Sequence, residues 1–188
     1  MVSLTPGLIL GLARATGIGV SHQELFEFKD DLRAKLLELA GVRLAQAKTR
    51  GQIIEIVRGM ARGVTLADGV TFVLREQTLC HYVEEDAIRP LWKGQKFPMT
   101  SCISGWAMMN NQTAIVPDIF ADPRIPHDVY RKTFVKSLVM APVGFDSPIA
   151  AIGVYWRDKS EISPREVAIV ERIAAMVGDA LHRTRQAA

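Results

Sequence analysis

The chain has 188 residues, 48% of them hydrophobic and 23% charged, with 23 Lys+Arg against 20 Asp+Glu. That length suits one domain with extensions, and the composition excludes a disordered or collagen-like chain. A net charge of +3, scattered along the sequence, makes no basic patch, so no nucleic-acid partner is expected.

The first 22 residues read as an apolar, Gly-rich leader, with Gly7, Gly11, Gly17 and Gly19 and a central Arg14. They lack the positive start of a signal peptide. They also fall short of the ~20 consecutive apolar residues of a membrane span. The leader is read as loosely ordered, no membrane partner is expected, and residues 23–188 are read as one domain. Two cysteines, Cys80 and Cys102, are too few for a disulfide framework and fit a cytoplasmic protein.

From Gln23 to Lys48 the apolar residues Leu25, Phe28, Leu32, Leu36, Leu39 and Val42 recur three or four apart, which predicts a helix with one apolar face. Thr49 and Gln52 fit a capping box, so a second helix runs from there towards Gly63. Val70–Leu74 and Cys80–Val83 are β-branched and aromatic runs around a polar turn, a hairpin pattern. Asp86–Gly94 reads as a loop, Trp106–Asn110 as a short helix after Ser104 and Gly105, and Thr113–Val116 as a strand. Asp118–Pro126 is irregular, and Asp118, Asp122 and Arg124 suit loop capping and a salt bridge. His127–Phe134 reads as a helix, and Ser137–Val143 and Ile149–Trp156 as strands around a turn. Ser163, Pro164 and Glu166 mark the start of a last helix with the face Val167, Val170, Ile173, Ala174, Val177 and Leu181. Short turns between adjacent strands predict an α+β fold with an antiparallel sheet.

The run Cys102-Ile103-Ser104-Gly105-Trp106-Ala107, then Val116-Pro117-Asp118, then Asp122-Pro123-Arg124, resembles the centre of a GAF domain. The strands Leu138–Val143 and Ala151–Trp156 and the closing helix extend the resemblance over about Gly41 to Leu181. Trp92–Pro98 and Phe134–Leu138 resemble GAF domains attached to bacterial sensor histidine kinases. The resemblance implies a sheet of five to six strands, with the terminal helices on one face and short helices and loops on the other. It implies a sensory domain of bacterial signal transduction with a small-molecule pocket bordered by Trp106, Phe120, His127, Tyr130 and Phe134. It further implies a homodimer through the terminal helices, and a histidine kinase or other signalling protein as output. In the last helix Val170, Ile173, Val177 and Leu181 step like a coiled-coil seam.

The sequence specifies neither ligand nor cofactor. His127 and Tyr130, at i and i+3, stand where bilin-binding relatives carry C-H-x-x-Y, but Pro126 replaces the cysteine, so no thioether forms there. The pair reads either as pocket border or as a surface histidine beside a packed tyrosine. Free methionine sulfoxide reductases are also GAF domains. Where they place cysteines this chain has Ser104 and the Pro126–His127 region, and Cys80 is expected to lie apart from Cys102. No catalytic residue is therefore assigned, and that enzyme class stays as the alternative, with a ligand-free dimer scaffold beside it. His22, His81, His127 and His182 are isolated in sequence, so no metal site is assigned.

Overall fold

The computed structural model describes residues 21–186, so the leader's residues 1–20 lie outside the described residues. Contacts divide the chain between Lys35 and Leu36. In the first part, helix α1 (His22–Gln46) opens on a reciprocal cap: Ser21 Oγ accepts the Glu24 N–H at 3.2 Å, and Glu24 Oε2 accepts the Ser21 N–H at 2.8 Å. An Asp31–Lys35 pair at 2.6 Å follows on an exposed turn.

After α1 come α2 (Arg50–Thr65), β1 (Gly69–Glu76), β2 (Leu79–Ala87), β3 (Lys96–Pro98) and a 3-10 turn (Met99–Ser101). Then follow α3 (Ile103–Asn110), β4 (Ala114–Val116), α4 (His127–Tyr130), β5 (Ser137–Val143), β6 (Ala150–Trp156) and α5 (Pro164–Gln186). The six strands form one sheet in the order β3-β2-β1-β6-β5-β4, with every neighbouring pair antiparallel. This is the α+β architecture the sequence predicts.

Strand alternation sorts the core into two layers. Val139, Ala141, Val143, Ile152 and Val154 pack with Val57 of α2 and Val177 of α5. Leu138, Met140, Ala151 and Tyr155, the intervening residues, pack with Ile103 and Met108 of α3 and Tyr130 of α4. Both predicted capping boxes are present. Thr49 Oγ1 accepts the Gln52 N–H at 3.2 Å, and Ser163 Oγ accepts the Glu166 N–H at 3.3 Å while Glu166 Oε2 accepts the Ser163 N–H at 2.9 Å.

Four expectations change. The helical run before β4 begins at Ile103 rather than Trp106, with Cys102 in extended conformation as its N-cap. Helix α4 stops at Tyr130 rather than Phe134, because the Thr133 hydroxyl donates to the Tyr130 carbonyl at 2.8 Å and ends the turn. On α1 beyond Leu36, Leu39 and Val42 are 48% and 50% exposed, while Ala40 and Leu44 are buried. The small residues set that phase: a Cβ on Gly41 would lie only 3.1 Å from Met176 Sδ of α5. Finally, Val170, Ile173, Val177 and Leu181 are buried in the core with the chain's own sheet, so they do not form a seam between chains. No helix among the described residues is long and apolar enough to cross a membrane.

Candidate functional site

The layer between the sheet and α3/α4 holds a hydrogen-bonded cluster of polar side chains. Residues two apart on β2 share a face, so Cys80 and Tyr82 both enter this layer. Thr71 of β1 lies opposite Gly153 of β6, and Thr71 Oγ1 is 2.8 Å from Tyr155 Oη. Gly153 permits this: a Cβ there would collide with the Tyr155 hydroxyl. Tyr82 Oη lies 3.1 Å from Ser104 Oγ, which lies 3.3 Å from Cys102 Sγ. Gly105 lets α3 sit this low, since a Cβ there would meet the Met99 carbonyl.

Trp92 covers the group. Its ring centroid is 4.7 Å from Tyr130, 5.6 Å from Tyr82 and 5.6 Å from Tyr155. The Glu85 carboxylate fixes it there by accepting the backbone N–H groups of Leu91, Trp92 and Lys93 at 3.0, 2.8 and 2.9 Å. Burial pushes the Tyr82, Tyr130 and Tyr155 hydroxyls above the ordinary tyrosine value, so all three stay neutral at pH 7. Among the described residues the buried Tyr130 hydroxyl has no hydrogen-bond partner. Such an orphan costs about 1–3 kcal/mol.

The thiols come together, against the expectation that they lie apart. Cys80 pairs with Phe97 across β2 and β3, and the chain returns through the 3-10 turn to place Cys102 Sγ 3.5 Å from the Pro98 carbonyl. The Cys80 S–H hydrogen-bonds towards Cys102, and with the Ser104 hydroxyl and the Ser104 and Gly105 N–H groups it pulls the Cys102 thiol down, against burial. The same bond, burial and the Cys102 charge push Cys80 up. Cys102 is therefore the more acidic thiol of the pair, and Cys80 the one that holds its proton more tightly.

The five predicted pocket residues separate into two groups. Tyr130, Phe134 and Trp106 pack with the inner layer. Phe120 is 56% exposed, its ring 6.1 Å from His127, whose Nε2 is 3.3 Å from the Asp122 carbonyl. Trp106 is half-buried under the Arg124 guanidinium, 4.4 Å from its centroid, and Arg124 pairs with Asp122 at 2.6 Å. His127 and Tyr130 do not act from one face: one turns to the loop, the other into the core. Sequence reasoning weighed Trp92 among several aromatics without assigning it to the site, and it missed Glu85 and Tyr155. Their arrangement depends on cross-strand register, and no local spacing announces it. A separate concavity of about 620 Å³, lined by Lys48, Arg50, Arg75 and Arg185 among others, shares no residue with this layer.

The sequence matches the GAF domain family over residues 49–182. No curated protein matches it. Among solved structures, it resembles a free methionine-R-sulfoxide reductase from Neisseria meningitidis in complex with its substrate. That match has TM-score 0.73 and 14% identity, over 90% of this chain and 96% of that one. It also resembles the GAF domain of an Acinetobacter phosphoenolpyruvate-protein phosphotransferase (TM-score 0.69, 9% identity, 82% and 96% covered). A methyl-accepting chemotaxis protein fragment matches at TM-score 0.65 and 18% identity over 79% and 98%. At these identities the likeness shows the fold alone. The family match spans most of the chain, and the sheet order and two-layer core agree with it: the chain belongs to the GAF domain family.

Proposed function

We propose that this GAF domain is a sensory module of bacterial signal transduction that works by binding rather than turnover. A small molecule enters the layer between the sheet and α3/α4, and the change passes across the sheet to the terminal helices. The observation that carries this reading is the buried, unpartnered Tyr130 hydroxyl beside Trp92. A ligand offering one hydrogen-bonding group there removes the desolvation penalty, and each 1.4 kcal/mol so gained is about tenfold in affinity.

Residues 118–136 form the lid, pinned by Arg124 against Asp122 and Trp106. Tyr130 and Phe134 then contact the ligand from within, and Trp106, Phe120 and His127 line the entry. A ligand that favours one lid position shifts the population of states. Adjacent residues of β5 and β6 point into opposite layers, so movement under Tyr155 is felt by Val154 and α5. The output is a histidine kinase or another signalling protein, and the working location is the cytoplasm. The active form is a homodimer, and the exposed Leu39 and Val42 of α1 are its contact. Sedimentation of Leu39→Glu/Val42→Glu should give a monomer where the unmutated chain gives a dimer.

The ligand test is native mass spectrometry of the purified full chain. A compound of a few hundred daltons released on denaturation, with weaker retention in Tyr130→Phe, is the expected result. No bound compound, together with no thermal shift against nucleotides, tetrapyrroles and amino acids, would overturn the reading. A second reading, a redox enzyme of the methionine sulfoxide type, draws on the meeting of Cys80 and Cys102. Turnover of free methionine sulfoxide that Cys102→Ser abolishes would establish it; no turnover is expected.

A further inference from the structure

The ligand reading leaves the most nucleophilic groups of the layer without a task. Cys102 caps the start of α3, with Sγ 3.3 Å from Ser104 Oγ. Cys80 stands on the same face of β2 as Tyr82, whose hydroxyl meets that same Ser104 oxygen at 3.1 Å. The β2–β3 register sets Cys80 opposite Phe97 and Leu79 opposite Pro98, and the Pro98 carbonyl is 3.5 Å from Cys102 Sγ. Both sulfurs therefore share one corner of the core, between the end of β3 and the beginning of α3. We propose that Cys80 and Cys102 are a hydroperoxide-reactive dithiol that closes to an internal disulfide.

The two thiols differ in ways that assign their roles. Cys102 is 7% exposed and Cys80 fully buried, so a small oxidant reaches Cys102 first. Cys102 is also the more acidic thiol, through the hydrogen bonds from Cys80, Ser104 and the first N–H groups of α3. The Cys102 S–H donates to the Pro98 carbonyl at 3.5 Å in the protonated form, which opposes ionisation but is outweighed by the donors on the other side. In the first step the Cys102 thiolate attacks the terminal peroxide oxygen. The S–O bond forms, the O–O bond breaks, and the alkoxide or hydroxide leaves and takes a proton from water. Cys102 is now a sulfenic acid. In the second step the Cys80 sulfur attacks it: the S–S bond forms, and the sulfenic hydroxyl leaves as water with the Cys80 proton. The net reaction consumes two thiols and one hydroperoxide and yields a disulfide, an alcohol or water, and one further water.

These positions are not Ser104 and Pro126–His127, where the resemblance places the reductase cysteines. Closure would tie β2 to the start of α3 across the ligand layer, giving the domain a covalent input that needs no bound ligand. It does not rest on the ligand reading, and either can fail alone.

Hydrogen peroxide is added to the reduced full chain, which is then denatured, alkylated and mapped by peptide mass. We expect both thiols to be lost, a peptide bearing Cys80 joined to one bearing Cys102 within one chain, and full recovery with dithiothreitol. Cys80→Ser should stop at a dimedone-reactive sulfenic acid on Cys102, and Cys102→Ser should leave Cys80 unreacted over the same time. The initial rate should fall less than about tenfold from pH 8 to pH 6, where a thiol of ordinary pKa near 8.5 loses about 75-fold. The proposal is overturned if both thiols stay alkylatable in the unmutated chain, if the disulfide joins two chains, or if Cys80 reacts equally fast in Cys102→Ser. The unmutated chain alone decides the first two outcomes, so a variant that misfolds does not leave the matter open.

Discussion

The two faces of one sheet solve different problems. Towards α2 and α5 the core cluster is built from Ile53, Val57, Ile152, Val154, Val177 and similar side chains, with the Ser137 hydroxyl of β5 as a buried polar exception. Towards α3 and α4 the sheet presents Cys80, Tyr82, Tyr155 and Thr71, which meet Cys102 and Ser104 at the start of α3 and Tyr130 of α4 under Trp92. Apolar packing has no partner to lose and tolerates no change of volume. A buried polar network is stable only where every group is satisfied. The second face is satisfied at Thr71–Tyr155 and at Tyr82–Ser104 but not at Tyr130. The difference teaches where this domain places its stability and where it keeps a group in reserve.

That contrast can be broken most forcefully on the apolar face. Ile152→Ala should cost about 2–5 kcal/mol in urea unfolding, because Ile152 is fully buried and the site cannot collapse around the lost atoms. The next largest effect belongs to the polar face. Glu85→Gln replaces an acceptor of three backbone N–H groups with one that turns an NH2 towards them. Unfolding by denaturant should show a loss of about 1.5–3 kcal/mol.

Two tyrosines sharpen the comparison, because the same substitution should act with opposite sign. Tyr155→Phe strands the buried Thr71 hydroxyl and should destabilise by about 1–2 kcal/mol. Tyr130→Phe removes an unpartnered group and should stabilise the ligand-free protein by about 1 kcal/mol, seen as a raised Tm. A Tyr130→Phe protein that melts lower would show that the hydroxyl has a partner.

The smallest effect lies at the start of α5. Burial raises the Glu166 carboxyl, but Lys159 at 2.5 Å and the Ser163 cap outweigh it and hold the pKa below its ordinary value. Its contribution is therefore present above the unfolded carboxyl value of about 4.3 and is lost as pH falls through the lower folded value. After solvent screening it should amount to about 0.5 kcal/mol. Glu166→Gln should flatten the dependence of Tm on pH below about 5 by that amount.

What the sequence makes legible is local. Thr49 with Gln52 and Ser163 with Glu166 mark two helix starts because a cap is made within four residues. Strands β5 and β6 are legible from their apolar runs. Strand β3 is not, because Lys96-Phe97-Pro98 is three residues held only by pairing with β2. The phase of α1 after Leu36 was hidden because Gly41 against Met176, and not the larger side chains, chooses it. Of the candidate site, the family resemblance points to Tyr130 and Phe134, which pack in the inner layer. The Glu85 clamp reaches six to eight residues along the chain, and the thiol pair depends on the β2–β3 register, so neither has a spacing that announces it.

The strand order also has a consequence for the order of synthesis. Strands β1 and β6 are partners near the centre of the sheet, and Thr71 and Tyr155 are 84 residues apart. At the ~5–20 residues per second of translation, Tyr155 follows Thr71 by ~4–17 s. Through that interval β1 can pair with β2, but its other edge, Val70 to Leu74, has no strand to meet. A growing chain thus presents an unpaired apolar edge until its last strand leaves the ribosome. Interception by a chaperone or by a neighbouring nascent chain is therefore decided before β6 pairs with β1.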